Sequence, residues 1–196
     1  SRAFDEDLLR WEVEHFREWA LEARGITLGA EDSGVFAEAA STLAERIASW
    51  PRGFVHRDYQ SRNLMVQEHA DADPSLVWID FQDALLGPRV YDLVALLNDS
   101  YQSFDRSFVE ARLDEYSEHH GLDAVGREAV GREFDTVTVQ RKLKDAGRFV
   151  FIDRVRGNPA FLGFVEPTIE KVFGALERLD GDPTLDRLHA LLRRLL

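Results

Sequence analysis

Three oxygen-bearing side chains in the middle of the sequence have the types and spacing of a site for a cation and a phosphate. Asp58 and Asn63 lie in the polar stretch HRDYQSRN, and Asp80 follows the apolar residues 76–79. Carboxylate and amide oxygens without sulfur ligands suit Mg²⁺, which binds through few side chains together with substrate phosphates. Taken singly, each residue is equally well explained as a polar residue that stabilises a turn. The combined spacing, H-x-D-x-x-x-x-N followed by I-D-F, favours the functional interpretation.

Short strands are expected to position these three side chains. Residues 53–56, 64–66 and 76–79 are apolar runs with β-branched or aromatic content, and polar or turn residues bound each of them. This pattern predicts three strands, with residues 69–75 as a hairpin connection. Asp58 and Asn63 then lie on the loop between the first two strands, and Asp80 leaves the end of the third.

Helices are predicted on both sides of this segment, because apolar residues recur there at helical spacing. Gly25 and the pair Trp50-Pro51 are the expected stops of the first two helices. The predicted helices cover residues 4–24, 33–49, 91–97, 107–120, 127–156, 167–179 and 183–196. The fold class expected from this order is a single, mainly α domain with a small β hairpin element.

Composition limits the class of protein. The 196 residues are 44% hydrophobic and 31% charged, which is typical of a folded globular chain with one good core. Lys and Arg number 24 against 36 Asp and Glu, and the resulting net charge of −12 argues against a non-specific nucleic-acid binder. The sequence has no cysteine, which excludes disulfides and favours a reducing, cytoplasmic compartment. No apolar run approaches the ~20 residues of a membrane span.

The stretch around Asp58 resembles the catalytic loop of kinases, in which an Asp accepts the substrate hydroxyl proton and an Asn holds a metal ion. Protein kinases continue with D-F-G and A-P-E, whereas this chain has DFQDA, then GPRVYDL. That pattern is similar to the aminoglycoside phosphotransferase superfamily, which includes choline, homoserine and sugar kinases. The phrases HRDYQSRNLMV and WIDFQDALLGPRVYDLVALL most resemble the bacterial anomeric kinases of N-acetylmuramate and N-acetylglucosamine.

The resemblance implies a role for each matching position. Asp58 would be the catalytic carboxylate, Asn63 and Asp80 would bind Mg²⁺, and ATP would donate the phosphate. His56 is expected to be structural, with its ring fixing the backbone near Asp80. Asp92 would brace the backbone of the catalytic loop, and it also suits the first turn of a helix.

Three further residues near the loop remain open candidates. Asp83 would contact the metal site or the substrate, or would simply face solvent. Gln60 stands where the superfamily commonly has His; it can donate a hydrogen bond to the transferring phosphate but carries no charge, so weaker stabilisation is expected. Arg62 is a second candidate on the phosphate side, although surface or structural ion pairs are the simpler interpretation of both Arg57 and Arg62.

Residues 140–156 form a basic segment, with six Lys and Arg against two Asp. On a helix, Arg141, Lys144 and Arg148 share one stripe. A solvated helix face is the simpler interpretation of this stripe. The functional interpretation is a cationic wall in which Arg141 and Lys144 bind an anionic substrate, and this favours an acidic sugar over a polycationic aminoglycoside.

The resemblance covers nearly the whole chain but only the catalytic, C-terminal lobe of a protein-kinase-like fold. It divides the chain into N-terminal helices at 1–52, the catalytic loop and metal-binding segment at 53–100, and a helical substrate-side part at 101–196. No Gly-rich loop or strand lysine for the ATP phosphates is recognisable, so the nucleotide lobe is expected to precede Ser1. The chain alone is then expected to bind ATP weakly and to turn over negligibly.

Other functions remain open from the sequence. One is a kinase for an aminoglycoside, for choline or for another small alcohol. A second is a non-catalytic, kinase-like lobe that binds a partner or ligand, which Gln60 and the missing nucleotide lobe would suit. A third is a metal-dependent hydrolase with His56 and Asp58 as ligands, but no second His lies at ligand spacing.

Overall fold

The computed structural model describes residues 3–69 and 72–196, in which helices dominate and two small antiparallel sheets lie among them. None of the helices in these ranges combines the length and the apolar composition of a membrane span. The elements are α1 (Glu6–Phe16), α2 (Ala30–Ser49), β1 (Arg52–Val55), β2 (Leu64–His69), β3 (Ala72–Trp78), β4 (Leu85–Pro88), α3 (Tyr91–Leu97), α4 (Arg106–His119), α5 (Ala124–Arg156), α6 (Val165–Arg178) and α7 (Pro183–Leu195).

The predicted helices are confirmed, and several of them begin up to three residues earlier than expected. The first predicted helix, residues 4–24, changes its hydrogen-bonding pattern along its length. After α1 the chain continues through a π-helical turn, Arg17–Leu21, and a 3₁₀ turn, Glu22–Arg24. It then stops at Gly25, whose φ of +87° is a left-handed conformation that glycine adopts without a Cβ clash.

The strands bring the polar segment and Asp80 together. β2 pairs with β3, and beyond this hairpin the amide of Ile79 donates to the carbonyl oxygen of Asn63 at 3.1 Å. The hairpin connection is shorter than predicted, because β2 extends to His69 and β3 begins at Ala72; residues 70 and 71 of the predicted connection lie outside the described residues. β1 pairs with β4, a strand that the sequence pattern did not predict.

The long helix α5 organises the core. One group of buried side chains joins it to α1, α2, α6 and α7, and includes Phe16, Phe36, Leu143 and Val172. A second group lies under β1, β4 and α3 and centres on the fully buried ring of Tyr91. The polar loop follows β1 directly, so the second group supports the strand that leads into it.

Gly147 sets the distance between α1 and α5. A Cβ atom at this position would lie 2.6 Å from the carbonyl oxygen of His15 and 2.9 Å from the Cα of Phe16. The two helix backbones can approach this closely only because position 147 has no side chain. This approach brings the side chains of α1 next to the basic stretch of α5.

We expect Gly147→Ala to lower the free energy of unfolding by about 1–3 kcal/mol, because the added methyl group meets backbone atoms that cannot rotate away. Gly131→Ala is the matched control on the same helix, since a Cβ atom there meets nothing within 4 Å. It should raise the free energy of unfolding by about 0.5–1 kcal/mol. Urea unfolding followed by circular dichroism measures both changes. Equal stability of the two variants would contradict the close approach of α1 and α5.

Candidate active site

The loop after β1 contains a residue in a sparsely populated backbone conformation. Arg57 has a φ of +77°, and for a non-glycine residue such a conformation costs about 1–3 kcal/mol. Hydrogen bonds hold the peptide groups on both sides of Arg57. The Asp92 carboxylate accepts its N–H at 3.0 Å and the His56 N–H at 2.7 Å, and Arg141 donates to its carbonyl oxygen at 2.9 Å. These contacts fix the direction in which the chain enters Asp58.

Asp92 lies in the first turn of α3 and makes the contacts expected of a residue that braces the loop. Burial raises the pKa of its carboxyl group, and the two backbone N–H donors oppose that rise. A carboxylate with both oxygens occupied by loop amides is a rigid anchor, because charge-assisted hydrogen bonds are stronger than neutral ones.

Arg141 also reaches Asp58. Its Nη2 atom lies 3.8 Å from an Asp58 carboxylate oxygen, and only 3% of the Arg141 side chain is exposed against 37% of that of Asp58. Burial alone would lower the pKa of Arg141, but Tyr91, Asp145 and Asp58 raise it above its ordinary value. Arg141 is therefore a permanent cation behind Asp58. Its interpretation as part of a solvated helix face is wrong.

Asn63 connects the loop to Asp80. Its side-chain amide nitrogen donates to the Asp58 carbonyl oxygen at 2.8 Å and lies 3.5 Å from an Asp80 carboxylate oxygen. Asp80 has a left-handed φ of +68°, and its other carboxylate oxygen accepts from the Gln82 side chain at 2.8 Å. The side chain of Asn63 thus links Asp80 to the backbone of Asp58.

A cavity of about 370 Å³ opens beside Asp58, between α1 and α5. Its lining includes four carboxylates, four Lys and Arg side chains, and aromatic rings. Gln60 and Asp83 line the cavity together with Asp58. Among the other lining residues are Trp11, His15, Tyr101, Lys144, Arg148 and Phe149.

The phosphotransferase enzyme family (APH) matches residues 2–129 of the chain, which includes the loop, Asp80 and Asp92. The chain belongs to this family. The superfamily that the motifs predicted is thereby confirmed.

Among curated proteins, the family member is similar to the N-acetylmuramate/N-acetylglucosamine kinases of two Pseudomonas species. The chain is 34% identical to the Pseudomonas putida kinase and 35% identical to the Pseudomonas aeruginosa kinase, in each case over 168 residues. Each match covers 83% of this chain and 48% of the relative. The kinase of the same name from Neisseria meningitidis is 30% identical over 201 residues, which is 93% of this chain and 59% of the relative. The chain spans about half the length of the curated relatives it matches.

The residues around Asn63 and Asp80 fit a magnesium ion. Within residues 3–69 and 72–196, no three His, Cys, Asp or Glu side chains are grouped closely enough to hold a metal by themselves. Mg²⁺ commonly uses only one or two protein ligands and completes its shell with water and phosphate oxygens. The amide nitrogen of Asn63 is engaged, so its oxygen and the Asp80 carboxylate would be the ligands. When bound, the ion would neutralise phosphate charge.

The ring of His56 does not make the backbone contact near Asp80 that the sequence predicted. Its side chain is buried, and neither ring nitrogen finds a hydrogen-bond partner in the described part of the chain. The ring packs edge-on against Tyr59 at 5.7 Å instead of fixing the backbone near Asp80. His56 is anchored by its backbone N–H, which donates a hydrogen bond to the Asp92 carboxylate.

The two arginines that flank Asp58 differ in their contacts. Arg57 forms an ion pair with the fully buried Glu12 at 2.8 Å, as expected. For the exposed Arg62, the structure shows a different contact from the expected ion pair: its guanidinium stacks on Tyr101, 3.5 Å from the ring centre.

Sequence reasoning missed two carboxylates that support the site. The buried Asp99 accepts from the Ser61 amide at 3.0 Å and the Ser61 hydroxyl at 2.6 Å, and so braces the second half of the loop. The only signal for it is a polar pair, Asn98-Asp99, directly after the apolar helix α3.

Asp145 is the second missed carboxylate. It lies 2.9 Å from Lys144, 3.0 Å from Lys142 and 3.9 Å from Arg141. Burial would raise its pKa, but these three cations hold the pKa far below its ordinary value. Burial lowers the pKa of Lys142 to about 8. In a count of charges, Asp145 merely reduces the net positive charge of the segment, so no sequence signal indicated that three cations surround it.

We expect Asp92→Asn to loosen the loop. The variant replaces one acceptor oxygen by an NH₂ group, which leaves one loop amide without a partner and lowers the free energy of unfolding by about 2 kcal/mol. Amide hydrogen exchange at His56 and Arg57 should become faster. Asp105→Asn is the control, because this N-terminal residue of α4 makes no side-chain capping bond. Unchanged exchange at both amides would contradict the bracing role of Asp92.

Proposed function

We propose that this chain is the catalytic lobe of a kinase that transfers the γ-phosphate of ATP to a hydroxyl group of an amino sugar, N-acetylmuramate or N-acetylglucosamine. The observation that supports it best is that Asp58 lines a cavity while Asn63 links its backbone to Asp80. The sugar class comes from the names of the curated relatives. A cytoplasmic reaction fits ATP as the donor and a chain without cysteine.

Asp58 is the group that addresses the acceptor. The sugar hydroxyl oxygen forms a bond to the γ-phosphorus, the bond to the bridging oxygen of ADP breaks, and the hydroxyl proton passes to the Asp58 carboxylate. Phosphoryl transfer depends mainly on positioning and on charge stabilisation, so a rigidly held carboxylate suffices. Arg141 and the braced Arg57 peptide supply that rigidity.

The phosphates would lie on the side of Asn63 and Asp80, which would hold Mg²⁺ there. Gln60 lines the cavity with Asp58 and can donate a hydrogen bond to the transferring group. Because its amide is uncharged, its stabilisation of the transition state is smaller than that of a cation.

The cavity suits a sugar better than the alternative acceptors. Its volume of about 370 Å³ falls within the usual range for small-molecule sites. The aromatic residues Trp11, Tyr101 and Phe149 contribute to its lining, and aromatic side chains suit the C–H groups of a pyranose. Equal numbers of cations and carboxylates in the lining leave no excess of acid for a polycationic aminoglycoside or for choline.

We also propose that a nucleotide-binding lobe in cis covers the exposed apolar side chains near the hairpin. Phe54, Trp78 and Phe81 are 52–67% exposed. Exposed apolar patches of this kind are typical of interaction surfaces. The lobe would supply the Gly-rich loop and the lysine for the ATP phosphates.

The lobe proposal predicts that the chain alone binds ATP weakly and phosphorylates sugars negligibly. Fusion to a nucleotide lobe, taken from the coding sequence upstream of Ser1 where it encodes a Gly-rich loop and a strand lysine, should restore both activities. Calorimetry with ATP and a coupled ADP assay measure them. Robust phosphorylation by the 196-residue chain would overturn the lobe proposal.

In the active two-lobe form, Asp58→Asn should lower kcat by about 10²–10⁴-fold, because the proton acceptor is lost. Asp80→Asn should raise the concentration of Mg²⁺ needed for half-maximal rate. Asp180→Asn is the matched control, since this exposed residue lies at the end of α6, outside the site. The rate of sugar phosphate formation is measured for each variant with both sugars. Full activity of Asp58→Asn would refute the kinase mechanism.

A further inference from the structure

One cation in the cavity differs from the others in its pairing. Arg57 pairs with Glu12 and Lys144 pairs with Asp145, so both charges are already neutralised. Arg148 lines the same cavity, yet its guanidinium has no ion pair or hydrogen bond with any residue of the described chain. Burial and the like charge of Arg156 lower the pKa of Arg148, and no acidic group opposes them. An anionic ligand would be the missing counter-charge.

The guanidinium of Arg148 is nevertheless positioned. It stacks over the ring of Phe151, with its central carbon 4.8 Å from the ring centre. The ring covers one side of the guanidinium, and its N–H groups make no hydrogen bond within the described chain, so they are free to bind a carboxylate in bidentate fashion. The side chain is therefore already oriented for a planar anion.

Arg148 lies away from the reacting end of the cavity. It follows Arg141 by seven residues on α5, which is about 10 Å along the helix axis. Arg141 contacts Asp58, so the catalytic carboxylate and the unpaired cation lie at separate points of one cavity. A single sugar ring with its acceptor hydroxyl at Asp58 can direct a substituent toward Arg148.

We propose that Arg148 binds the carboxylate of an acidic amino sugar and thereby favours N-acetylmuramate over N-acetylglucosamine. This inference rests on the proposed function, and it concerns the selection between the two sugars. Only N-acetylmuramate carries a lactyl ether with a carboxylate. The two residues that the sequence selected for this role are committed elsewhere: Arg141 holds the loop, and Lys144 pairs with Asp145.

Calorimetric binding of each sugar to the 196-residue chain tests the role of Arg148. Arg148→Gln should raise the Kd for N-acetylmuramate about tenfold or more, the effect of losing a charged hydrogen-bond partner, and should leave N-acetylglucosamine unaffected. Arg148→Lys keeps the charge but loses the fork geometry, so an intermediate Kd is expected. Arg154→Gln removes the same charge from an exposed position on α5 that pairs with Asp153, and it should alter neither Kd. Added salt should weaken only N-acetylmuramate binding.

The outcomes separate this inference from the proposed function. Loss of affinity for both sugars in Arg148→Gln, or no loss for either, overturns the role of Arg148 while sugar binding itself stands. Absence of binding of both sugars to the unaltered chain overturns the sugar proposal and this inference together. A selective loss for N-acetylmuramate supports both. Thermal unfolding of each variant verifies that the substitution leaves the fold intact.

Discussion

The peptide unit at Arg57 is held in a left-handed conformation by an anion on one side and a cation on the other. Asp92 accepts its N–H and Arg141 donates to its carbonyl oxygen. These charge-assisted bonds offset a backbone cost of about 1–3 kcal/mol. Because Asp58 is the next residue, this constraint sets the direction in which its side chain leaves the backbone. The cavity, the link through Asn63 and the position of the proposed acceptor all depend on it.

Arg141 connects this constraint to the interior of the protein. It is anchored among buried charges on α5, where Asp145 lies near Lys142 and Lys144. Removing such charges from water is costly, and a buried ionic cluster is weak evidence for stability. Its structural effect here is to keep a cation fixed behind Asp58. The basic stretch of α5 thus contains the buried Arg141, which positions the loop, and Arg148, which lines the cavity without an ion pair in the described chain.

The N-terminal helix belongs to the site as much as to the core. Gly147 allows α1 to approach α5 so closely that Glu12 reaches Arg57 and also accepts from Gln140 at 2.9 Å. The same approach places Trp11 on the cavity wall. A loop motif alone therefore does not make this pocket, since two distant helices supply much of its lining.

The sequence by itself determined the helices, the strands of the β2–β3 hairpin and the spacing of Asp58, Asn63 and Asp80, because these depend on local periodicity and on chain order. Strand β4 escaped prediction because its last two residues, Gly87-Pro88, are typical of a turn, and its pairing with β1 is a long-range contact. Only the tertiary structure decided the roles of the charged residues on α5. Arg141 and Arg148 look alike in the sequence, but packing against α1 and the loop buries one and leaves the other exposed at the cavity. Which carboxylate meets which cation is set by contacts between residues far apart in the chain, and no local signal encodes them.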